Sequence, residues 1–295
     1  MPRAQANGVE LEYEVLGDPG ARPLLLVQGL GSQLVTIDDG FCAELTARGF
    51  MVIRFDNRDV GLSTRIDGAQ APDLAAVWEG DRSTLAYTLE DMADDAAGLL
   101  DAVGVRRAHV AGISLGGMVA QLLAIRHPAR VRSLASIMSN TGARGVGRPS
   151  AEGAGVLFTP MPPEREPYLE RAVANARAAG TGTAYPFDAD AVRRAAARGY
   201  DRAYYPAGVG RQLAAALAAG DRTEALRALR VPTVVVHGDA DMIVGVDGGE
   251  ATAAAVPGAR LHRIHGLGHE LPRGVWATLA DAIAANAERE PPGHG

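Results

Sequence analysis

Short apolar runs alternate along this chain with longer stretches in which apolar residues return every three or four positions. Val9 to Val15 alternates apolar with polar side chains, the pattern of a hairpin strand with one face in water. Pro23 to Val27 (PLLLV) is apolar throughout, as a strand covered on both faces should be. Met51–Phe55, Ala108–Ala111, Leu134–Met138 and Thr233–Val236 repeat that signal, whereas Arg260–Ile264 alternates again, which predicts a place nearer the sheet edge. Helices fit between these runs. Thr88–Val103 is the clearest: Thr88 and Asp91 stand at the spacing of a capping pair, and Gly104 is a stop. Leu115–Arg126 predicts a second helix, closed by His127-Pro128, and Val275–Glu288 the last, with PPGHG as a frayed tail. Strands and helices in alternation are the mark of βαβ units and a mostly parallel sheet.

The rhythm breaks between Thr141 and Gly220. Gly/Pro-rich pieces (TGARGVGRPS, FTPMPPEREP) are joined there by Ala/Arg-rich helical pieces, and no run reads as a buried strand. The pattern predicts a core of residues 1–140 and 221–295, interrupted by a helical lid at 141–220. No internal repeat is visible.

Composition adds exclusions. Apolar residues at 47% and charged residues at 22% are ordinary for a globular chain, so neither disorder nor a fibre is expected. A formal net charge of −6 argues against non-specific binding to nucleic acid or anionic membrane. The first residues (MPRAQANGVELEYEVLG) lack the apolar segment of a secretory signal, and no apolar run approaches a membrane span. Cys42 is the only cysteine, so neither an internal disulfide nor a multi-cysteine metal site can form, and the cytoplasm is the expected compartment. Cys42 lies in FCAELTARGF, an amphipathic helix pattern that gives it a structural role.

The candidate chemistry centres on Gly112, Ser114 and Gly116, a G-x-S-x-G motif with a strand ending before it and a helix starting after it. A nucleophile between strand and helix needs a tight turn, and side chains two positions to either side would collide in it. Here both are glycine. Such a turn pushes the hydroxyl out at the carboxyl edge of the sheet and aims a helix N-terminus at the reacting oxygen. The hydroxyl also needs a base. His269 ends HGLGH, a glycine-flanked loop between the last strand and the last helix, and His265 in the same loop competes with it. His109 lies within a strand, His127 ends a helix, His237 ends a strand beside the acid loop, and His262 faces the side of its strand. The imidazole in turn needs a carboxylate, and the run after Thr233–Val236 offers Asp239 and Asp241. Asp241 is preferred because the chain can fold back there toward His269, while Asp239 starts the turn. Two backbone N–H groups should receive the charge of the tetrahedral intermediate: that of Leu115, after the nucleophile, and that of Leu30, in Gln28-Gly-Leu-Gly31. No G-x-G-x-x-G phosphate cradle is present.

Six segments assembled in this way, GLGSQ (29–33), FDNRDVGLS (55–63), HVAGISLGGMVAQ (109–121), RHPARVRSL (126–134), VVVHGDADMIV (234–244) and HGLGHELP (265–272), resemble the α/β-hydrolase superfamily. The chain looks most like its actinobacterial carboxylesterases, the group near the aclacinomycin methylesterases and the cofactor-free bromoperoxidases. The resemblance spans nearly the whole chain. It implies a mostly parallel, eight-stranded sheet flanked by helices, with an inserted helical lid. It also implies a triad of Ser114, His269 and Asp241 and an oxyanion hole of Leu30 and Leu115. Two departures stand out: Gln28 occupies a position where many relatives have histidine, and Val244-Gly245 replaces a common Val-Pro. Asp56 and Arg58 fall in a loop that is usually structural in the family.

The expected reaction is hydrolysis of a small to medium carboxylic ester through an acyl-enzyme, with no cofactor and no metal. A serine at the elbow argues against dehalogenase or epoxide hydrolase chemistry, which in this fold uses an aspartate. The same triad would also serve a carbon–carbon hydrolase or a perhydrolase, and a catalytically silent ligand-binding homologue is the alternative of another class. The lid offers Phe158, Met161, Tyr168, Tyr185, Phe187, Tyr200, Tyr204 and Tyr205 to the acyl and alcohol pockets.

Overall fold

The structure is a computed structural model that describes residues 1–180 and 184–290, so the PPGHG tail lies outside the described residues. Eight strands form one sheet: β1 (Arg3–Ala6), β2 (Val9–Leu16), β3 (Arg22–Val27), β4 (Phe50–Phe55), β5 (Ala108–Ile113), β6 (Val131–Ile137), β7 (Thr233–Gly238) and β8 (Arg260–Ile264). Their order is β1-β2-β4-β3-β5-β6-β7-β8. β2 runs antiparallel to β1 and β4, and all other pairs are parallel.

Eleven α-helices lie among the described residues. α1 (Asp39–Ala47), α2 (Leu74–Trp78), α3 (Leu89–Ala102) and α4 (Leu115–Arg126) precede β6. α5 (Ala151–Phe158), α6 (Arg165–Ala179), α7 (Ala189–Ala203), α8 (Pro206–Ala218) and the short α9 (Thr223–Arg227) separate β6 from β7. α10 (Val246–Ala255) and α11 (Trp276–Ala287) follow. None of them is long and apolar enough to cross a membrane.

β3 shows why a continuous apolar run was needed. Leu25 and Val27 pack into the cluster under α3 and α4, while Leu24 and Leu26 face the opposite cluster with α1 and α11. All four are fully buried, each contributing about 1.5–3 kcal/mol. The capping pair forms as a closed box: Thr88 Oγ1 accepts from Asp91 N–H, and Asp91 Oδ2 accepts from Thr88 N–H at 2.8 Å. Cys42 lies on the buried face of α1 with Phe41 and Leu45, and burial pushes its thiol up to about 11, which leaves it unreactive.

One strand was not expected from the sequence, and one lies at the edge as expected but with a different burial pattern. β1 carries no apolar run (RAQA) and exists because β2 offers it an open edge in register from Arg3–Glu12 to Ala6–Val9. β8 is the edge strand, but its alternating sequence is not matched by alternating burial: Arg260 to Arg263 are all exposed, and only Ile264 is covered. It carries Arg260 and Arg263, charges that discourage pairing with another edge.

The helices after β6 are tied to the body by buried polar pairs. Arg202 of α7 meets Asp56 at 2.7 Å, and Arg211 of α8 grips Asp59 through two bonds of 2.7 and 3.0 Å. Both carboxylates lie in the loop after β4 and are fully buried. Tyr168, Tyr200 and Tyr204 stack on one another, with ring centres 4.9–5.7 Å apart, and glue α6 to α7.

Candidate active site

The parallel strands end together, and the loops that leave their carboxyl ends converge. The tightest follows β5. Ser114 has φ +56° and ψ −121°, a conformation that costs a non-glycine residue on the order of 1–3 kcal/mol. It is held by Ser114 N–H donating to Ile137 O of β6 at 2.8 Å, and by Gly117 N–H returning to Ser114 O at 2.8 Å. A Cβ on Gly112 would lie 2.1 Å from Gly116 O, and one on Gly116 would lie 2.2 Å from Val27 O. Both glycines are therefore steric requirements, as the motif implied. α4 starts at Leu115, so its N-terminus points at the hydroxyl.

The structure brings Ser114, His269 and Asp241 together from three separate loops. His269 Nε2 lies 2.9 Å from Ser114 Oγ, and His269 Nδ1 lies 2.7 Å from Asp241 Oδ2. Asp241 Oδ1 accepts the N–H groups of Ile243 and Val244 at 2.9 and 2.8 Å. Burial works against the Asp241 charge, but hydrogen bonds from His237 and His269, the His269 charge and the Val244 N–H outweigh it and hold the carboxyl down at about 2. His237 is wholly buried beneath the acid loop, with Nε2 2.8 Å from Val244 O and 3.4 Å from Asp241 Oδ2.

The competing residues pair with each other instead. Asp239 Oδ2 lies 2.9 Å from His265 Nδ1, and its other oxygen accepts Gly266 N–H at 2.7 Å. Asp239 thus bonds the histidine loop rather than its own turn, and the His265 side chain is 98% exposed, turned away from Ser114. His109 is buried in β5 with Nδ1 2.9 Å from Ser133 Oγ; its other ring nitrogen finds no partner among the described residues. Burial, with Arg132, Arg22 and Arg107 nearby, pushes His109 down to about 4.

Leu115 follows the nucleophile directly, and the loop of Leu30 reaches it through Gly29. Gly29 packs against Ser114, where a Cβ would sit 3.4 Å from the serine Cβ. Among the described residues neither Leu30 N–H nor Leu115 N–H donates to a protein acceptor, which leaves both for an incoming oxygen. Gln28 is fully buried; with its amide turned to satisfy both ends, it donates to Gln33 O at 2.7 Å and accepts from Leu34 N–H at 3.1 Å. The histidine-to-glutamine departure therefore leaves the loop supported.

Sequence reasoning missed the residues that approach this site from the helices after β6. His269 N–H donates to Ala179 O at 2.7 Å, Ser150 N–H donates to Met242 O of the acid loop at 2.9 Å, and Gly31 N–H donates to Gln212 Oε1 at 3.0 Å. Two of these bonds are backbone to backbone, and no side-chain pattern could have announced them.

Comparison with known proteins shows the family and the fold. The family model described as alpha/beta hydrolase fold matches residues 22–272. The rhodomycin D methylesterase of Streptomyces peucetius is 32% identical over 306 residues, covering 94% of this chain and 95% of the relative. Among solved structures, a meta-cleavage product hydrolase from Pseudomonas fluorescens superposes with a TM-score of 0.76 at 19% identity, covering 99% of this chain and 98% of that one. An esterase from a Rhodococcus species gives 0.76 at 23% identity, with 98% and 99% covered.

Proposed function

This chain belongs to the α/β-hydrolase family, among its esterase-type enzymes, and we propose that it hydrolyses small to medium carboxylic esters through an acyl-enzyme on Ser114. The observation that carries this reading is the relay from Asp241 through His269 to Ser114, at 2.7 and 2.9 Å, with the serine on a strained turn.

Each step follows from that arrangement. Ser114 Oγ attacks the ester carbonyl carbon while its proton passes to His269 Nε2. The carbonyl oxygen gains charge and accepts the N–H groups of Leu30 and Leu115, with the α4 N-terminus behind it. The carbon–oxygen bond to the alcohol breaks, and His269 returns the proton to the leaving oxygen. Water then attacks the acyl-serine by the same route and releases the acid. Asp241 stays ionised throughout, fixing the imidazole with its proton on Nδ1 and stabilising the imidazolium. The reaction needs neither cofactor nor metal.

Residues 141–220 are proposed to form a lid over a core of residues 1–140 and 221–295, because that stretch supplies helices α5 to α8 between two neighbouring strands. A methyl ester is the first substrate to test, since rhodomycin D methylesterase is among the relatives. We place the enzyme in the cytoplasm, where its single buried thiol would stay reduced. The test is a panel of methyl and p-nitrophenyl esters of graded acyl length, run beside a vinylogous diketone and beside acetate with peroxide. Turnover of esters with an acyl-length optimum supports the proposal. Turnover of the diketone alone, or of peroxide alone, overturns it in favour of carbon–carbon cleavage or peracid formation.

A further inference from the structure

We infer that Gln212, on α8, is a positioning residue that holds the oxyanion loop in its working conformation. This rests on the reading of Leu30 N–H as an oxyanion donor. Gln212 is fully buried, and both ends of its amide are engaged: Oε1 accepts Gly31 N–H at 3.0 Å, and Nε2 donates to Arg58 O at 2.9 Å.

The loop it touches is a tight turn. Ser32 N–H closes back onto Gly29 O at 3.2 Å, and Gly31 has φ +65°. A positive φ at the third residue is the feature of a type II turn, whose central peptide is flipped relative to type I. That central peptide is Leu30 C=O with Gly31 N–H. Glycine on both sides of Leu30 leaves the turn free to exchange between the two forms. Gln212 takes the N–H of the central peptide, so only one orientation keeps the bond; the flipped form strands a buried amide oxygen. The flip itself leaves the Gly29–Leu30 peptide, and so Leu30 N–H, nearly in place; Leu30 N–H shifts when the Leu30–Gly31 end of the turn loses its anchor on α8, and Gln212 is that anchor.

The loop is also held two residues on, where Gln33 Nε2 donates to Gly199 O and Ala203 O of α7 at 2.7 and 3.0 Å, but Gln212 is the side chain that meets the Leu30–Gly31 peptide itself. The loop's inner face lies against the nucleophile turn, where Gly116 closely approaches Val27 O and Gln28 O. Its outer face meets α8 alone at Gly31, where a Cβ would sit 3.0 Å from Val209 Cγ2. α8 is fixed in turn by the buried Arg211–Asp59 pair. The helix between β6 and β7 therefore shapes the oxyanion hole from behind. Charge on the carbonyl oxygen develops only in the transition state, so loss of this support lowers kcat and leaves KM nearly unchanged.

The experiment compares Gln212→Leu with Gln212→Glu, which keeps an oxygen for Gly31 N–H and, protonated in this fully buried position at the mildly acidic end of the assay, an O–H for Arg58 O. Each is assayed for kcat, KM and inhibition by a trifluoromethyl ketone, whose adduct carries the oxyanion. We expect Gln212→Leu to lose about ten- to a hundredfold in kcat, less than deleting a donor outright, with KM within about threefold. Ketone affinity should fall by the same factor as kcat, and Gln212→Glu should recover most of both. Unchanged kcat and ketone affinity in Gln212→Leu, or equal losses in the two variants, overturn the inference. Hydrogen exchange at the Gly31 amide of the unmodified enzyme gives a reading that needs no variant. Slow exchange supports the inference, and exchange as fast as an open surface turn overturns it. If the unmodified enzyme hydrolyses no ester and binds no ketone, the oxyanion-hole reading itself fails.

Discussion

Replacing Asp241 by asparagine changes one oxygen into an amine, and the structure dictates which one. Asp241 Oδ1 accepts two backbone N–H groups, from Ile243 and Val244, whereas Oδ2 faces His269 Nδ1 and, further off, His237 Nε2. An asparagine must keep its oxygen toward the two backbone donors, because turning the NH2 there would lose both bonds and oppose donor to donor. The NH2 is then forced toward His269 Nδ1. The imidazole must accept at Nδ1 and carry its proton on Nε2, where it faces Ser114 Oγ as a donor and can no longer act as base. We expect kcat to fall by about ten thousandfold, roughly 5 kcal/mol in barrier, with KM little changed. Stability falls as well. The folded carboxyl at about 2 lies below its ordinary value of 3.8, so its charge stabilises the fold above pH 3.8 and that contribution is lost as pH falls toward 2. At neutral pH the difference is on the order of 2 kcal/mol, which Asp241→Asn forfeits. Stopped-flow ester kinetics and urea melts measure the two effects separately. Asp239→Asn is the control: its carboxylate serves the exposed His265 and Gly266 N–H, so kcat should stay near that of the unmodified enzyme. If Asp241→Asn keeps kcat within about tenfold, the tautomer argument is wrong. If Asp239→Asn is the variant that loses activity, the two aspartates have been assigned in reverse.

Acid should weaken the fold through His109 before it reaches the carboxylates. His109 is held at about 4 in the folded state, below its ordinary value of 6.5, so its contribution is complete above pH 6.5 and is lost as pH falls from there through 4. Urea melts at pH 7 and pH 4 should differ by on the order of 3 kcal/mol from this group, and His109→Gln should flatten that part of the profile; an unchanged profile refutes the assignment. Deleting residues 141–220 and bridging the gap should cost rate as well as selectivity, because Ala179 O, Ser150 N–H and Gln212 each brace a different catalytic loop. A truncated protein that folds and keeps both its turnover and its substrate preference would contradict this.

Most of the fold could be read in the sequence because buried parallel strands and capped helices leave local signals. PLLLV, Thr88 with Asp91, and Gly112-x-Ser114-x-Gly116 each depend on neighbours within a few residues. β5 was read only as far as Ala111, since Gly112 breaks the apolar run although it still pairs with Ser136. β1 escaped notice because its buried residues, Ala4 and Ala6, are too small to make an apolar run, and its register is set by β2. The proposed triad was legible because each member lies in the loop that follows a strand, β5, β7 or β8. The bracing contacts were not. Gln212 and Arg211 stand in a helical stretch where glutamine and arginine ordinarily face water, and only tertiary packing buries them against Gly31 and Asp59. Likewise the tyrosines proposed for the pockets include three, Tyr168, Tyr200 and Tyr204, that pack mainly on each other.

The central claim is that Ser114 becomes covalently acylated, and its most direct test is fluorophosphonate labelling followed by peptide mass mapping. The account predicts one adduct, on Ser114, formed in step with loss of ester hydrolysis, and neither adduct nor hydrolysis in Ser114→Ala when melting shows that variant folded. An adduct on another residue, or hydrolysis by folded Ser114→Ala within about tenfold of the unmodified enzyme, would contradict it.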